Sequence, residues 1–264
     1  MPAPNEITAK QLLRTIGTAH APLIVDLSID EDHAAHPYLI PTAQRHPHTD
    51  LHGLAELIGT RRAVLVCQKG GKISQGAAAW LASEGIHADY LAGGNLGWLD
   101  TPDSLRIPAT AMRGPLWVTR HRPKIDRIAC PWLIRRFIDP GARILFVSPR
   151  EVEAVAERFG ATPFDTDIAP FTHHGDLCTF DAFLAHFELR SPALERLATV
   201  IRGADTDEWD AHPACAGLLA ISVGLSRLHK SDQDQLDDGM ILYDALYRWA
   251  RDGFEETHAD GAAA

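Results

Sequence analysis

Val64–Lys72 reads VLVCQKGGK, an apolar run that breaks at a cysteine into a loop with two glycines and two lysines. Val64, Leu65 and Val66 read as the end of a short core strand, and Ser74–Ser83, SQGAAAWLAS, as the helix that follows. Cys67 therefore opens a strand-to-helix loop. Gly70 and Gly71 allow that loop backbone angles that other residues resist. Successive N–H groups can then turn inward as an anion cradle at the positive end of the next helix. A thiol held there is expected to lose its proton more readily than a free cysteine, because amide dipoles and Lys69 or Lys72 stabilise the thiolate. Burial as a structural residue is the commoner fate of cysteine. A core cysteine, however, has no need of two glycines and two lysines beside it, so the loop reads as reactive.

Outward from this loop, residues 7 to about 107 alternate short apolar strands with helical segments: PLIVDLS, DLHGLAELIG, AVLVC, SQGAAAWLASEG and ADYLAGG. Such alternation predicts a parallel sheet covered by helices. Asp100–Pro115, DTPDSLRIPATAMRGP, is rich in proline and small residues and has no sustained period. The division expected is a first domain over 1–107, a linker over 108–115, a second domain over 116–256 and a disordered tail over 257–264. In the second domain LWVTRH and ARILFVS read as strands. Ser148-Pro149-Arg150-Glu151 and Ser191-Pro192 carry helix-start signals. CAGLLAISVGLSRL and GMILYDALYRWARDGF have helical spacing, with HKSDQD as the turn between them. The fold class is thus an α/β parallel-sheet domain followed by a mainly helical α+β domain.

The 264 residues carry a net charge of −10, which argues against general binding to nucleic acid or anionic membranes. No window of transmembrane length is free of charge, and the N-terminus lacks a basic segment followed by an apolar run, so a cytoplasmic protein is expected. Four cysteines without a CxxC pair indicate neither a disulfide framework nor a zinc ribbon.

Within this acidic chain Arg113, Arg120, His121, Arg122, Lys124, Arg127, Arg135 and Arg136 form a basic cluster. Arg122, Lys124 and Arg136 read as a solvated face. In DRIACPWLIRRFID, Ile128, Trp132, Leu133 and Phe137 can share a buried helix face, with Asp126 and Arg127 capping its start and Cys130 packed inside. In FTHHGDLCTFD, the side chains of His173, His174, Asp176, Cys178 and Asp181 are types that ligate zinc or iron-like metals. They serve equally as caps and turn residues, and their spacing matches no metal motif, so both readings stand.

Residues 7–107 resemble the rhodanese, or sulfurtransferase, family. PLIVDLS is similar to that family's strand ending in Asp, HPYLIPTAQR to its His-Ile-Pro-Gly-Ala segment, CQKGGK to its six-residue active-site loop and YLAGGNLGWL to its closing Gly-Gly and Trp element. The resemblance implies that Cys67 accepts sulfane sulfur as a persulfide, with the backbone of Gln68, Lys69, Gly70, Gly71 and Lys72 binding an anionic donor such as thiosulfate. A thiol or cyanide would then be the acceptor, and no cofactor is required. Ser28 stands where many members have Arg, Thr42 where the Gly of Pro-Gly-Ala is expected, and Lys72 where the last loop position is often Arg. Lysine keeps the charge but not the planar two-pronged contact of a guanidinium.

Residues Trp117–Phe254 resemble the C-terminal domain of the chromate-resistance protein family, through WVTRHRPKIDRIACPWLIRRFIDP, FTHHGDLCTF, ADTD and the AGLLAISVGL helix. In that family a DNA-binding region commonly precedes this domain, with a rhodanese-like domain as an alternative. Asp181 stands where Glu is usual, and Arg202 where His often precedes the Ala204-Asp205 pair. The likeness implies a polar pocket at His173, Asp126, Arg127 and Asp205, with Arg120, Cys130, Cys178 and Asp181 around it. Arg127 would serve an oxyanion such as chromate; the alternative is that these groups merely pair with one another to close the helix ends. His173, Asp181 and Asp205 are the candidate metal ligands. The expected function is sulfur transfer through Cys67 linked to chromate or oxyanion stress. The alternative is a chromate- or redox-sensing binding protein with a regulatory thiol.

Overall fold

The computed structural model describes residues 5–167 and 169–256, so the tail over 257–264 lies outside the described residues. The chain divides into two compact units, residues 1–112 with 135–140, and residues 113–134 with 141–264.

The first unit runs β1 Glu6–Ile7, α1 Ala9–Leu13, β2 Leu23–Asp26, α2 Asp30–Ala35, β3 Tyr38–Leu39, β4 Gln44–Arg45, α3 Leu51–Ile58, β5 Ala63–Val66, α4 Lys72–Ser83, β6 Ala88–Leu91, α5 Gly94–Leu99 and β7 Ile107–Pro108. Five strands form a parallel sheet in the order β1-β6-β5-β2-β4. The central strand β5 is buried at all four residues, as an apolar run covered on both faces must be. Leu54 and Ile58 of α3 and Ala77, Ala78 and Leu81 of α4 close one face over Val25 and Leu65. Helix α4 begins at Lys72, two residues earlier than its sequence suggested, which brings its N-terminus up to the cysteine loop.

The segment expected to link the units is largely part of the first. Leu105, Ile107 and Ala111 are buried, β7 pairs antiparallel with β3, and the Trp98 indole N–H donates to the Leu105 carbonyl at 2.8 Å. Proline and small residues hid this because two-residue strands leave no period to read. The division between units falls after Met112.

The second unit holds β8 Leu116–Arg120, α6 Asp126–Leu133, β9 Arg143–Val147, α7 Val152–Phe159, β10 Thr162–Pro163, α8 Thr179–His186, α9 Pro192–Asp205, α10 Ala214–Leu228 and α11 Asp232–Asp252. A three-stranded parallel sheet, β10-β8-β9, packs through an aromatic cluster of Trp117, Phe164, Phe171, Phe183 and Phe187, in which the Phe171 and Phe183 rings stack at 4.4 Å. Helices α9, α10 and α11 pack on one another, and α6 against α8, α9 and α11. Ser191 caps α9 through the Leu194 N–H, whereas Ser148 makes no side-chain cap and opens a single 3₁₀ turn before α7. Arg122 is exposed, as a solvated face requires, and is tethered as well. Its N–H reaches the Asp232 carboxylate at 3.2 Å, and its guanidinium donates to the carbonyls of His229 and Ser226, fastening the α10–α11 turn. Among the described residues, no helix is long and apolar enough to cross a membrane.

Candidate functional site

Cys67 sits just past the carboxyl end of β5, the central strand, where open parallel sheets bind ligands. It is buried, with Sγ 3.2 Å from the Ser74 hydroxyl on the first turn of α4. The loop is pinned from outside through its carbonyls. Asn95 N–H donates to Cys67 O and Leu96 N–H to Gln68 O, each at 3.0 Å, and the Gln75 amide donates to Gly70 O at 2.9 Å. With its carbonyls so engaged, the loop leaves its N–H groups over. Among the described residues, none of those of Gln68 to Lys72 donates to a protein acceptor. Gly70 has φ +65° and Gly94 φ +58°. A Cβ at Gly70 would collide with the Leu91 carbonyl oxygen, and one at Gly94 with that of Cys67, so this approach of two backbones requires glycine. Asn95 also donates to Ser28 Oγ at 3.2 Å, tying the loop to the end of β2. Lys69 and Lys72 are exposed at the rim.

In the second unit three carboxylates close on one imidazole, and two arginines hold one of the three. His173 Nε2 lies 3.3 Å from Asp126 Oδ2, 3.2 Å from Asp205 Oδ2 and 3.7 Å from Asp165 Oδ1. Asp126 opens α6, Asp205 ends α9, and Asp165 follows β10. Arg120 at 2.7 Å and Arg127 at 3.0 Å both hold Asp165 Oδ2, and Thr179 donates to Oδ1 at 3.1 Å. Asp126 and Asp165 are buried. Two backbone positions here are strained. Ile125, a β-branched residue, has φ +42° and Asp165 has φ +53°. Ile125 is held there by donation from its N–H to Ser222 Oγ and from the Tyr243 hydroxyl to its carbonyl, both groups buried. Strain of this kind persists only where the surroundings enforce it, and it gathers at functional sites.

The charges perturb one another. The hydrogen bond to Asp126 and the neighbouring carboxylates raise the His173 pKa to about 9 despite partial burial. Burial and the Asp126 charge raise Asp205 to about 7. Asp165 is also raised, by burial and Asp126, against the pull of Arg120 and Arg127. Burial, then Asp126, pushes the thiols of Cys130 and Cys178 well up, so neither is a ready thiolate.

The sequence named Arg120, Asp126, Arg127, Cys130, His173, Cys178, Asp181 and Asp205 here, and the structure sorts them differently. Asp126 joins His173 and Asp205 and does not cap α6; Ile125 holds the cap position without a side-chain bond. Arg127 is spent on Asp165 and the His121 carbonyl rather than open to an oxyanion. Asp181 is not in the group of candidate ligands: it accepts the Cys178 N–H at 3.0 Å and pairs with Arg202 at 2.7 Å. The two departures from the family pattern thus contact each other. His174 and Asp176 are exposed in the turn beside Gly175, whose φ is +59°. Asp165 was missed. Its only signal is an acidic residue straight after a short apolar strand, in FDTD, which turns also use.

Residues 117–250 match the family model of the ChrB C-terminal domain. Protein ChrB of Cupriavidus metallidurans is 37% identical over 143 residues, 54% of this chain and 43% of that protein, so the chain spans less than half the length of this relative. A rhodanese-like domain protein from Staphylococcus aureus is similar at 25% identity over 36% of this chain and 90% of that one, with a TM-score of 0.33. A thiosulfate sulfurtransferase from Pseudomonas aeruginosa is similar at 26% identity over 37% of this chain and 18% of that one, with a TM-score of 0.29.

Proposed function

The chain belongs to the ChrB C-terminal domain family, and we propose that its first unit is a sulfurtransferase acting in chromate or oxyanion resistance. The observation that carries this reading is the row of amides from Gln68 to Lys72 that donate to no protein acceptor, in the loop joining Cys67 to the N-terminus of the twelve-residue helix α4. Such a cradle suits an anionic sulfur and an anionic donor together. The Cys67 thiolate attacks the outer sulfur of thiosulfate. The S–S bond breaks, sulfite leaves with its electron pair, and Cys67 carries a persulfide. A thiol or cyanide then attacks the terminal sulfur and returns the cysteine thiolate. The amides hold the charge that moves between donor and persulfide, and Lys69 and Lys72 raise the local concentration of the anion. The sensing alternative has less support, because the two arginines nearest the second cluster already hold Asp165.

The test is thiocyanate formation from thiosulfate and cyanide, with the +32 Da persulfide adduct on Cys67 read by mass spectrometry, about the mass of one sulfur atom. Cys67→Ser is expected to abolish both. Turnover at the wild-type rate in that variant would sink the assignment.

A further inference from the structure

We propose that Asp126, His173 and Asp205 form a binding site for a divalent first-row transition ion in the second unit, with Asp165 at its edge. The inference is independent of sulfur transfer at Cys67.

Asp126 Oδ2, His173 Nε2 and Asp205 Oδ2 lie within 4.8 Å of one another, on the first residue of α6, the loop before α8 and the last residue of α9. An imidazole Nε2 carries at most one hydrogen. Here it faces carboxylate oxygens at 3.3, 3.2 and 3.7 Å, so one hydrogen on that nitrogen serves one of the three, and only Asp165 Oδ1 has the Thr179 hydroxyl besides. A metal explains the spacing directly. Ligand bonds of about 2.0–2.1 Å put neighbouring ligand atoms about 2.8–3.4 Å apart, from octahedral to tetrahedral geometry. The two shorter separations fall in that range.

A second observation points the same way. Cys130 is four residues beyond Asp126 on α6, one helical turn along the same face. Its sulfur is fully buried and, among the described residues, has no hydrogen-bond partner, although the Asp126, Asp165 and Asp205 carboxylates are close enough to oppose its ionisation. A bare thiol buried on the same helix face as Asp126 adds nothing to a closed ion-pair lattice. A borderline-soft cation gives a reason for it. Without a metal the cation facing these carboxylates is the His173 imidazolium, whose proton a bound ion would displace, while both guanidiniums are engaged on Asp165 Oδ2.

One nitrogen and two carboxylate oxygens suit Zn²⁺, Mn²⁺, Fe²⁺ or Co²⁺ better than Ca²⁺, which takes six to eight oxygens. Three protein ligands leave coordination positions open, the arrangement of sites that take a further ligand rather than of closed structural ones. With His173 neutral and the ion bound, the three aspartates, two arginines and the metal sum to one positive charge, so an anion is favoured at the open position.

The test uses the full chain, stripped with chelator and titrated with Co²⁺ and Zn²⁺. Visible d–d absorption saturating at one Co²⁺ per chain, displaced by Zn²⁺, is the expected result. Asp205→Asn and His173→Gln should each weaken binding at least tenfold, while Asp181→Asn leaves it unchanged. Asp205→Asn removes one of three mutually repelling carboxylates. It also loses the pairing with the His173 imidazolium, so metal-free melting should stay close to wild type, and lost binding would not be unfolding. Failure to saturate at one equivalent, unchanged affinity in both ligand variants, or equal affinity for Mg²⁺ would each overturn the proposal. Cys67→Ser is expected to bind the metal normally, so failure here and failure of sulfur transfer are separately visible.

Discussion

At Cys67 the loop that follows the reactive atom leaves the main-chain amides of successive residues, Gln68 to Lys72, without protein acceptors. Around His173 the groups that gather are side chains from the ends of α6 and α9, the turn after β10 and the end of β8. The two regions were legible to different degrees for that reason. A site made of backbone is written mostly in one stretch, a strand, a cysteine, two glycines and a helix start, with Gly94, Asn95 and Leu96 packed against the loop to pin it. A site made of side chains is assembled from positions some eighty residues apart, from Asp126 to Asp205, and the sequence offers the donors without their pairing.

The first comparison to press is between backbone and side chain at Cys67 itself. Gly94→Ala puts a methyl group against the Cys67 carbonyl oxygen at φ +58°, where an L-residue is already disfavoured. The loop must shift, and a displacement on the order of 1 Å at a reacting group costs about 10²-fold in rate. We expect kcat/KM for thiosulfate to fall by about that factor with Cys67 still present. A rate within about threefold of wild type would mean that the amides do not set the chemistry.

Lys72→Ala should be milder. Lys72 is exposed at the start of α4, and an exposed charge contributes roughly 0.2–1 kcal/mol in contacts of this kind. If it holds the donor equally in ground and transition states, KM rises a few-fold with kcat unchanged. A loss in kcat as large as that of Gly94→Ala would reverse the order argued above, and the site would be built by its side chains after all.

The second unit shows how substitution works where side chains make the site. The expected metal set of His173, Asp181 and Asp205 failed at Asp181, and for a readable reason. Asp181 is three residues into the start of α8, where a carboxylate reaches back to the Cys178 N–H, and its other oxygen meets Arg202. Residues that depart from the family pattern were visible singly; that they answer each other required the fold. A double-mutant cycle with Asp181→Ala and Arg202→Ala should give a coupling of about 1 kcal/mol in stability, because both side chains are mostly buried but still reach solvent. A coupling near zero would separate the two changes and leave each to be explained alone.

The smallest expected effect concerns a departure in the first unit, where the backbone has kept its form beneath a changed side chain. Thr42 occupies the place of a glycine in the family pattern, and its φ is +66°, a conformation glycine adopts freely and threonine does not. It is buried, its N–H donates to the Phe137 carbonyl at 2.9 Å, and its hydroxyl has no hydrogen-bond partner. Thr42→Gly removes left-handed strain of about 1–2 kcal/mol and a buried orphan hydroxyl costing about 1–3 kcal/mol. Against this stand the extra chain entropy of glycine, about 0.5–1 kcal/mol, and the lost burial of a methyl group with the small void it leaves, about 1 kcal/mol or more. The surplus is slight, about 1 kcal/mol, and should raise the melting temperature by about 2–4 °C in a chain of this length, with sulfur transfer unchanged. A lower melting temperature would mean that the threonine side chain supports this turn. The first unit would then have absorbed its departures through side-chain packing, as the second unit does at Asp181 and Arg202, and the contrast between the two regions would fail at that point.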